Sequence, residues 1–306
     1  MSALNWLLDS DPAIRWQTMR DLTGASADSV AAERARVATE GWGKRLLDLQ
    51  HPKNQWSDGS MKSLLQTPDG SSCYALNLLY DMGIDPSCEQ VRRAVNLIRD
   101  GVTHYEGGQP YFFGETEPCI NGRVLGQGAY FGEPNATLLD RLISEQLSDG
   151  GWNCEAPKSQ RSSFNTTICV LEGLLEFERM QGEDPRIVQA RKRGEEYLLE
   201  RRLFRSGTSG EVINPEWALF SYPNDWRYDI LRALDYLRST GVKPDDRIAE
   251  SIGLVQESRG NDGRWLLQSS HKQQLQFDMG QVVGKPSPWV TLRALRVLQW
   301  AGESVS

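Results

Sequence analysis

The sequence has little of what a membrane-spanning, secreted or nucleic-acid-binding protein needs. Its 306 residues contain no apolar run long enough to cross a bilayer. The start, MSALNWLLDSDP, lacks the basic and long apolar regions of a signal peptide. The net charge is −7, and no basic stripe is visible that would hold a phosphate backbone. We therefore expect no membrane span and no nucleic-acid partner.

Cysteine and histidine are also scarce. The five cysteines are an odd number without CxxC spacing, so we expect reduced thiols and a cytoplasmic location. The three histidines, His51, His104 and His271, lie apart from one another. A zinc site made of Cys119, Cys154 and His271 is conceivable, but we expect no metal and no cofactor. No P-loop, dinucleotide fingerprint or G-x-S-x-G motif occurs.

Tryptophan, by contrast, is abundant, with ten residues in the chain. Three stretches share one pattern: an apolar helical end, a glutamine, a few turn-forming residues and a tryptophan. They are LLDLQHPKNQW (46–56), EQLSDGGWNCE (145–155) and GLVQESRGNDGRW (253–265). A pattern that recurs along a chain predicts a repeat architecture.

Helical periodicity dominates the sequence, and strand-like alternation is rare. Six apolar segments begin with the Pro, Ser, Asn or Asp that helix N-termini prefer, and we name them inner helices: 11–22, 71–83, 118–131, 162–178, 224–239 and 287–300. Five more polar amphipathic segments, named outer helices, alternate with them: 29–49, 87–100, 134–147, 185–202 and 244–257. The N-terminal ALNWLLD is the sixth outer helix in this scheme, and it would close a ring beside the C-terminal inner helix.

The glutamine-to-tryptophan pattern resembles the QW repeats of squalene–hopene cyclase-type class II terpenoid cyclases. The alternating helices resemble the α/α toroid that those cyclases share with protein prenyltransferase β subunits. The resemblance covers nearly the whole chain in organisation and three segments in motif. It implies a single all-α domain over 1–306, an α/α toroid of about six inner and six outer helices around a cavity. It also implies that Trp56, Trp152 and Trp265 tie outer-helix ends to the next repeat.

The catalytic signatures of those families are missing from this chain. The D-x-D-D cluster of class II cyclases and the D-D-x-x-D motif of class I enzymes do not occur. Prenyltransferase β subunits bind zinc through Asp, Cys and His, but Asp149 and Cys154 do not have the D-x-C spacing. The resemblance therefore predicts the fold and leaves the chemistry open.

Polar arcs on the inner helices supply the candidate site. The helix at 162–178 is apolar around most of its circumference, as in a buried helix, and its polar arc includes Asn165 and Glu172. Glu172 either lines a pocket or pairs with arginines of neighbouring helices. Two other inner helices have comparable arcs: Cys73, Asn77 and Asp81; and Cys119, Arg123 and Gln127.

The last two inner helices add aromatic and charged residues. On 224–239, Trp226 is at the centre of the apolar face and Asp229 at its edge. Asp229 is either a buried acid with a raised pKa or a first-turn aspartate stabilised by the helix dipole. On 287–300, one arc holds Trp289, Arg293, Arg296 and Trp300, either as cation–π partners in the core or as cavity walls.

Two functions of different class fit these observations, and a protein-binding role at the rim of a toroid is a third option. In the first, the protein is an enzyme, a cyclase or isomerase with lyase and transferase chemistry still open, that acts on a hydrophobic small molecule through a carboxylate acid. In the second, it is a non-catalytic binding or self-resistance protein that sequesters a hydrophobic metabolite. We expect the ligand at the mouth where the inner helices begin, since helix N-termini favour anionic groups. The catalytic candidates are Asp229 and Glu172, and the binding candidates are Asn165, Trp226, Trp289, Cys119, Asn121 and Arg293. The oligomeric state is left open.

Overall fold

The computed structural model describes residues 2–50, 68–104, 106–270 and 277–304. Within these ranges the regular elements are helices, and β-pairing is limited to isolated bridges. The α-helices are α1 (Ala3–Leu8), α2 (Pro12–Leu22), α3 (Ala27–Ala35), α4 (Gly41–Asp48), α5 (Pro68–Asp81), α6 (Glu89–Gly101), α7 (Pro118–Phe131), α8 (Ala136–Ser144), α9 (Phe164–Gln181), α10 (Pro185–Leu199), α11 (Ile230–Ser239), α12 (Ala249–Glu257) and α13 (Pro288–Trp300). The all-α fold class is confirmed. No helix in the described part of the chain has the length and apolarity to cross a membrane.

Two predicted helices need correction. The inner helix predicted to begin at residue 224 begins at Ile230, because Asp225 has a left-handed backbone (φ +52°) that an α-helix does not accept. The outer helix predicted over 29–49 is divided into α3 and α4. Gly41 has φ +62° at the break, and the Asp11 carboxylate accepts a hydrogen bond from the Trp42 backbone N–H (2.7 Å).

The helices form two compact units, which are described separately. The first comprises the described residues within Met1–Trp42, Leu198–Lys272 and Asp278–Ser306, and it contains α1, α2, α3, α11, α12 and α13. The second comprises Gly43–Tyr197 and Gln273–Phe277, again where the structure describes them, and its central pair is α7 and α9.

Glycines bring α7 and α9 together at backbone distance. A Cβ on Gly122 would lie 2.6 Å from the Cys169 carbonyl oxygen, and one on Gly126 would lie 3.2 Å from the Gly173 Cα. Only glycine permits so close an approach of two helices. These two inner helices are buried on most of their surface, as their apolar periodicity predicts.

The N-terminal helix packs beside the C-terminal one within the first unit. The Arg264 guanidinium lies 4.4 Å from the centre of the Trp6 ring on α1, and Arg296 of α13 donates to Gln17 Oε1 of α2 (2.8 Å). The packing of α1 beside α13 agrees with the place predicted for ALNWLLD. Closure of a complete ring stays a prediction.

Two tryptophans of the repeated pattern are held in the same way. Trp152 and Trp265 are fully buried, and each indole N–H donates over 2.7 Å to a carbonyl ten residues earlier, that of Leu142 on α8 and of Val255 on α12. Each ring therefore fastens a loop to the outer helix before it, as expected for a staple. Trp56 lies outside the described residues.

A threonine on the next inner helix holds the backbone of each tryptophan. Thr167 of α9 accepts from the Trp152 N–H, and Thr291 of α13 accepts from the Trp265 N–H, both over 3.0 Å. Each tryptophan thus connects an outer helix to the following inner helix through its own two N–H groups.

In the second unit, two glutamines of the pattern make equivalent hydrogen bonds. Gln50 Nε2 donates to the Ala94 carbonyl (3.4 Å) and Gln146 Nε2 to the Ala190 carbonyl (2.8 Å), and each pair is 44 residues apart. These bonds connect the end of one outer helix to the middle of the next.

The third stretch does not follow this register. Its glutamine, Gln256, precedes the tryptophan by nine residues, whereas Gln146 precedes Trp152 by six. Arg259 occupies the equivalent position, and its guanidinium lies 5.5 Å from the centre of the Trp265 ring. The sequence prediction chose the wrong residue here because it matched residue type rather than spacing.

We expect Trp152→Ala and Trp265→Ala each to lower the free energy of unfolding by about 3–5 kcal/mol, since each removes a fully buried indole. Trp226→Ala is the matched control: Trp226 is 42% exposed, so its loss removes less buried surface and should cost clearly less than either buried ring. Urea unfolding measures all three. Equal losses in the three variants would show that the two buried rings are not structural staples.

Candidate functional site

Asp229 is the N-cap of α11 and is 2% exposed. Its Oδ1 accepts from the Arg232 N–H (2.7 Å), and its Oδ2 accepts from the N–H and hydroxyl of Ser221 (3.2 and 3.1 Å) and from Asn224 Nδ2. Four donors thus surround the carboxylate and attach the preceding loop to the helix. This geometry favours the helix-stabilising interpretation of Asp229 that the sequence had left open.

Asn224 connects two residues that the sequence analysis selected separately. Its amide nitrogen donates to Asp229, and its Oδ1 accepts from Arg293 Nη1. Asp229 and Arg293 therefore belong to one hydrogen-bonded chain. Asn224 was missed because the sequence placed it inside a helix rather than in the loop before one.

Trp289 lies inside a stack of three aromatic rings. Its ring is parallel to Tyr222 (centroids 4.3 Å apart, planes at 14°) and to Trp42 (6.2 Å, 22°). The Arg293 guanidinium lies 5.2 Å from the centre of the Tyr222 ring. Trp289 is 2% exposed, and its indole N–H has no hydrogen-bond partner among the described residues. The sequence predicted Trp289 and Arg293 but missed Trp42 and Tyr222, which come from outside the inner helices.

The structure places Trp226 outside the helix that was predicted to carry it. It lies in the loop before α11, is 42% exposed, and has the Arg227 guanidinium 4.8 Å from its ring centre. The prediction that it occupies the centre of an apolar helix face was wrong, because the helix begins four residues later.

Three arginines of the first unit, Arg238, Arg293 and Arg296, form what we call the arginine cluster. Arg296 pairs with Asp21 (2.5 Å) and Arg238 with Asp235 (2.8 Å). Arg293 Nε lies 4.0 Å from the other oxygen of Asp235. The cluster thus combines contacts from α2, α11 and α13.

Burial and charge oppose each other in this cluster. Burial raises the pKa of Asp235, but the positive charges of Arg238, Arg296 and Arg293 outweigh it and hold that pKa below 3.8. The pKa of Asp21 is also lowered, because Arg20 and Arg296 outweigh its burial. Burial lowers the pKa of Arg296 to about 10. Both carboxylates are therefore ionised at neutral pH and are poor candidates for a general acid.

In the second unit, the polar arcs of α5 and α7 face each other. Asn77 Oδ1 accepts from Arg123 Nε (3.1 Å) and from Gln127 Nε2, and Gln127 in turn accepts from the Tyr111 hydroxyl (2.6 Å). The side-chain hydrogen-bonding groups of these residues are thus paired with one another.

The polar arc of α9 contains a pair of carboxylates near a half-buried tyrosine. The Tyr80 hydroxyl donates to Glu176 Oε2 (2.9 Å), and Arg179 lies 3.7 Å from the same oxygen. Burial raises the pKa of Tyr80 well above 10, with further contributions from the negative charges of Glu176 and Glu172. Glu172 and Asn165 are both half-buried on this helix.

Asn121 and Cys119 occupy the first turns of α7. Asn121 is fully buried, accepts from the Glu115 N–H (2.7 Å) and donates to the Glu115 carbonyl (2.9 Å), so its side chain fastens the loop before the helix. Cys119 Sγ lies 3.5 Å from Glu117 Oε2. It also lies close to Cys154, and the ligand atoms of Glu117, Cys119 and Cys154 are all within 4.8 Å of one another.

The two thiols of this cluster affect each other. A hydrogen bond with Cys119 lowers the pKa of Cys154 to about 7, and the same bond, with burial, raises the pKa of Cys119. The Thr166 hydroxyl, 3.3 Å from Cys154 Sγ, also lowers the pKa of Cys154. Glu117 was missed in the sequence, where Asp149 was considered instead. The Asp149 carboxylate accepts from the N–H and hydroxyl of Ser162.

A depression of about 820 Å³ lies on the outer side of the second unit. Residues of α10 and the turn before it line this depression: Glu183, Pro185, Val188, Gln189, Lys192, Arg193 and Glu196. It is open, and most of its lining residues are exposed. It does not include any of the predicted site residues.

Comparison with known proteins finds distant likenesses only. No protein-family model matches the sequence, and no curated protein matches it. Structures of the type II terpene cyclase MstE from Scytonema are similar in fold. A variant in complex with geranylgeranyl dihydroxybenzoate (substrate) is 16% identical with a TM-score of 0.46, and the match covers 95% of this chain and 86% of that chain. A variant in complex with merosterolic acid A (product) is 14% identical with a TM-score of 0.47 and the same coverage. An apo form is 17% identical with a TM-score of 0.43, covering 83% of this chain and 69% of that chain. Sequence identities and TM-scores this low do not identify site residues, so the site has to be interpreted from its own geometry.

The lowered pKa values of Asp21 and Asp235 predict a loss of stability in acid. Their contribution is fully present above pH 3.8, the ordinary value, and is lost as the pH falls through the lower values of the folded state. We expect Asp235→Asn to be less stable at neutral pH and to lose less stability on acidification. Melting temperatures between about pH 6 and pH 2.5 measure this effect. The exposed Asp28→Asn is the control, and an Asp235→Asn profile parallel to that of Asp28→Asn would contradict the assignment.

Proposed function

We propose that this protein binds a hydrophobic small molecule that carries an anionic group, and that the inner helices of the first unit provide the site. One observation supports this most directly: the Arg293 guanidinium lies over Tyr222 at the end of the Trp42–Trp289–Tyr222 stack. Aromatic side chains favour the apolar part of such a ligand, and a guanidinium favours a carboxylate or phosphate.

The local charge supports an anionic group. The residues of the arginine cluster and their neighbours include four arginines and three aspartates, one positive charge in excess: Arg20, Arg238, Arg293 and Arg296; Asp21, Asp229 and Asp235. The chain as a whole carries −7. A local excess of positive charge on an acidic protein favours a negatively charged ligand at the arginine cluster.

The indole N–H of Trp289 supports a polar contact beside the aromatic surface. A buried donor without a partner costs about 1–3 kcal/mol, and an acceptor on a ligand would recover this. Trp289 is the central ring of the stack, so this donor lies next to the aromatic rings that would hold the apolar part.

Geranylgeranyl dihydroxybenzoate, the substrate in the similar cyclase, provides a suitable probe, because it joins a long apolar chain to a carboxylate. We expect it to bind and to quench tryptophan fluorescence. Geranylgeraniol, with the same chain and no acid, should bind at least ~10-fold more weakly. Arg293→Gln should weaken binding of the benzoate by ~10-fold or more, because a charge-assisted hydrogen bond contributes about 1.5–3 kcal/mol, and should leave geranylgeraniol unchanged.

Arg247→Gln is the matched control for this experiment. Arg247 belongs to the same unit but pairs with Asp245 away from the arginine cluster (2.8 Å), so its loss should not change either affinity. The proposal is wrong if neither probe binds the unaltered protein, or if Arg293→Gln and Arg247→Gln bind the benzoate equally well.

Catalysis by a carboxylate acid, as in a cyclase or isomerase, is the second candidate function. The proximity of Glu172 and Glu176 to the half-buried Tyr80 in the second unit favours it. Cyclisation or isomerisation preserves mass, so chromatography with mass spectrometry would detect a new product of unchanged mass. In this case Glu172→Gln should abolish product formation and leave the affinity for the benzoate within a few-fold, whereas Asp229→Asn should lower stability as the loss of a helix N-cap. Binding without any such product favours the non-catalytic function.

A further inference from the structure

We propose that Glu117, Cys119 and Cys154 form a binding site for a thiophilic divalent cation, and that Zn²⁺ fits their chemistry best. Two sulfur ligands and one carboxylate oxygen make a soft donor set, which selects zinc over magnesium or calcium. All three residues belong to the second unit and are distinct from the arginine cluster of the first.

The distances among these side chains agree with a tetrahedral centre. With Zn–S bonds of about 2.3 Å and a Zn–O bond of about 2.0 Å, a tetrahedral ion separates sulfur from oxygen by about 3.5 Å and sulfur from sulfur by about 3.8 Å. Cys119 Sγ and Glu117 Oε2 are 3.5 Å apart, and all three ligand atoms lie within 4.8 Å. Only small side-chain movements separate this arrangement from coordination.

The backbone that carries these ligands is firmly held. Glu117 is the N-cap residue of α7, and Cys119 lies in the first turn of that helix. Cys154 follows Trp152 by two residues, and Trp152 is fixed to Leu142 and to Thr167. The Thr166 hydroxyl lies 3.3 Å from Cys154 Sγ and would orient that ligand from outside the coordination sphere.

The exposure of the three residues leaves room for a fourth ligand. Cys119 is buried, Cys154 is half-buried and Glu117 is exposed, so one side of the cluster faces solvent. Three protein ligands with one open position are the arrangement in which zinc holds a water molecule or an outside ligand. Structural zinc sites, by contrast, have four protein ligands.

This inference revises the expectation of no metal for a specific reason. The sequence combined the two cysteines with His271, which lies outside the described residues, or considered Asp149, which is bound to Ser162. The fold instead brings Glu117 to both thiols.

Cobalt(II) is the probe for the test, because thiolate coordination gives it an intense charge-transfer absorption and tetrahedral geometry gives strong visible bands. The full-length chain, without a metal-binding tag, is reduced, stripped with a chelator and titrated with Co²⁺ and then Zn²⁺. We expect one Co²⁺ per chain with both absorptions, and displacement by Zn²⁺. Cys119→Ser and Cys154→Ser should abolish the charge-transfer absorption, and Glu117→Gln should weaken Zn²⁺ affinity by ~10-fold or more.

Cys88→Ser is the matched control, since Cys88 is half-buried at the start of α6 and should not affect binding. Circular dichroism checks whether each cysteine variant folds. If one does not, Glu117→Gln still tests the site, because Glu117 is exposed and its replacement should not disturb folding. The proposal is overturned if the unaltered protein gives no cobalt absorption, or if Glu117→Gln and Cys154→Ser bind as tightly as Cys88→Ser. It is also overturned if thiol titration before reduction finds the two cysteines joined as a disulfide in metal-free protein. None of these outcomes depends on ligand binding in the first unit.

Discussion

The bond from a buried indole N–H to an outer-helix carbonyl determines where both candidate sites lie. In the second unit, the chain leaves Trp152 and reaches Cys154 two residues later, so the cysteine takes its position from a fixed ring. In the first unit, Trp265 leads to Gln268, whose side chain and N–H both bond to Phe220, next to Ser221 and the Asp229 cap. A functional loop placed on a rigid attachment keeps its geometry, which a binding site requires.

Polar groups on the inner helices are satisfied mainly by one another. Asn77 binds Arg123 and Gln127, and Arg238 binds Asp235. An unpaired buried polar group costs about 1–3 kcal/mol, whereas a hydrogen-bonded one contributes to stability, so a helix wall with these arcs is stable only while its pairs persist. The Trp289 indole N–H and the Arg296 Nε on the same helix are exceptions within the described residues, and these two donors are more informative than the paired groups around them.

The sequence predicted helix bounds correctly where a single start residue and a single stop residue marked the ends of the helix. Pro118 begins α7, and Gly132, with a left-handed backbone, ends it, so both bounds were predicted correctly. It failed before α11, where Asn224, Asp225 and Asp229 are all residue types that favour an N-cap and only the packing decides among them. Trp42 and Tyr222 escaped prediction because they approach Trp289 from distant parts of the chain, which periodicity within one helix does not reveal.

The acidic groups gathered at the start of α7 carry more negative charge than the helix end can balance, and this favours a cation. A helix N-terminus provides about half a positive charge, enough to favour a single carboxylate or thiolate. Deprotonated Glu117, Cys119 and Cys154 would place three negative charges within 4.8 Å. The helix end does not balance that charge, and Thr166 provides only one hydroxyl. Without a cation the Cys119 thiol keeps its proton, because the hydrogen bond with Cys154 and burial raise its pKa. A divalent ion removes that proton and uses all three side chains as ligands, so binding should release protons and weaken as the pH falls.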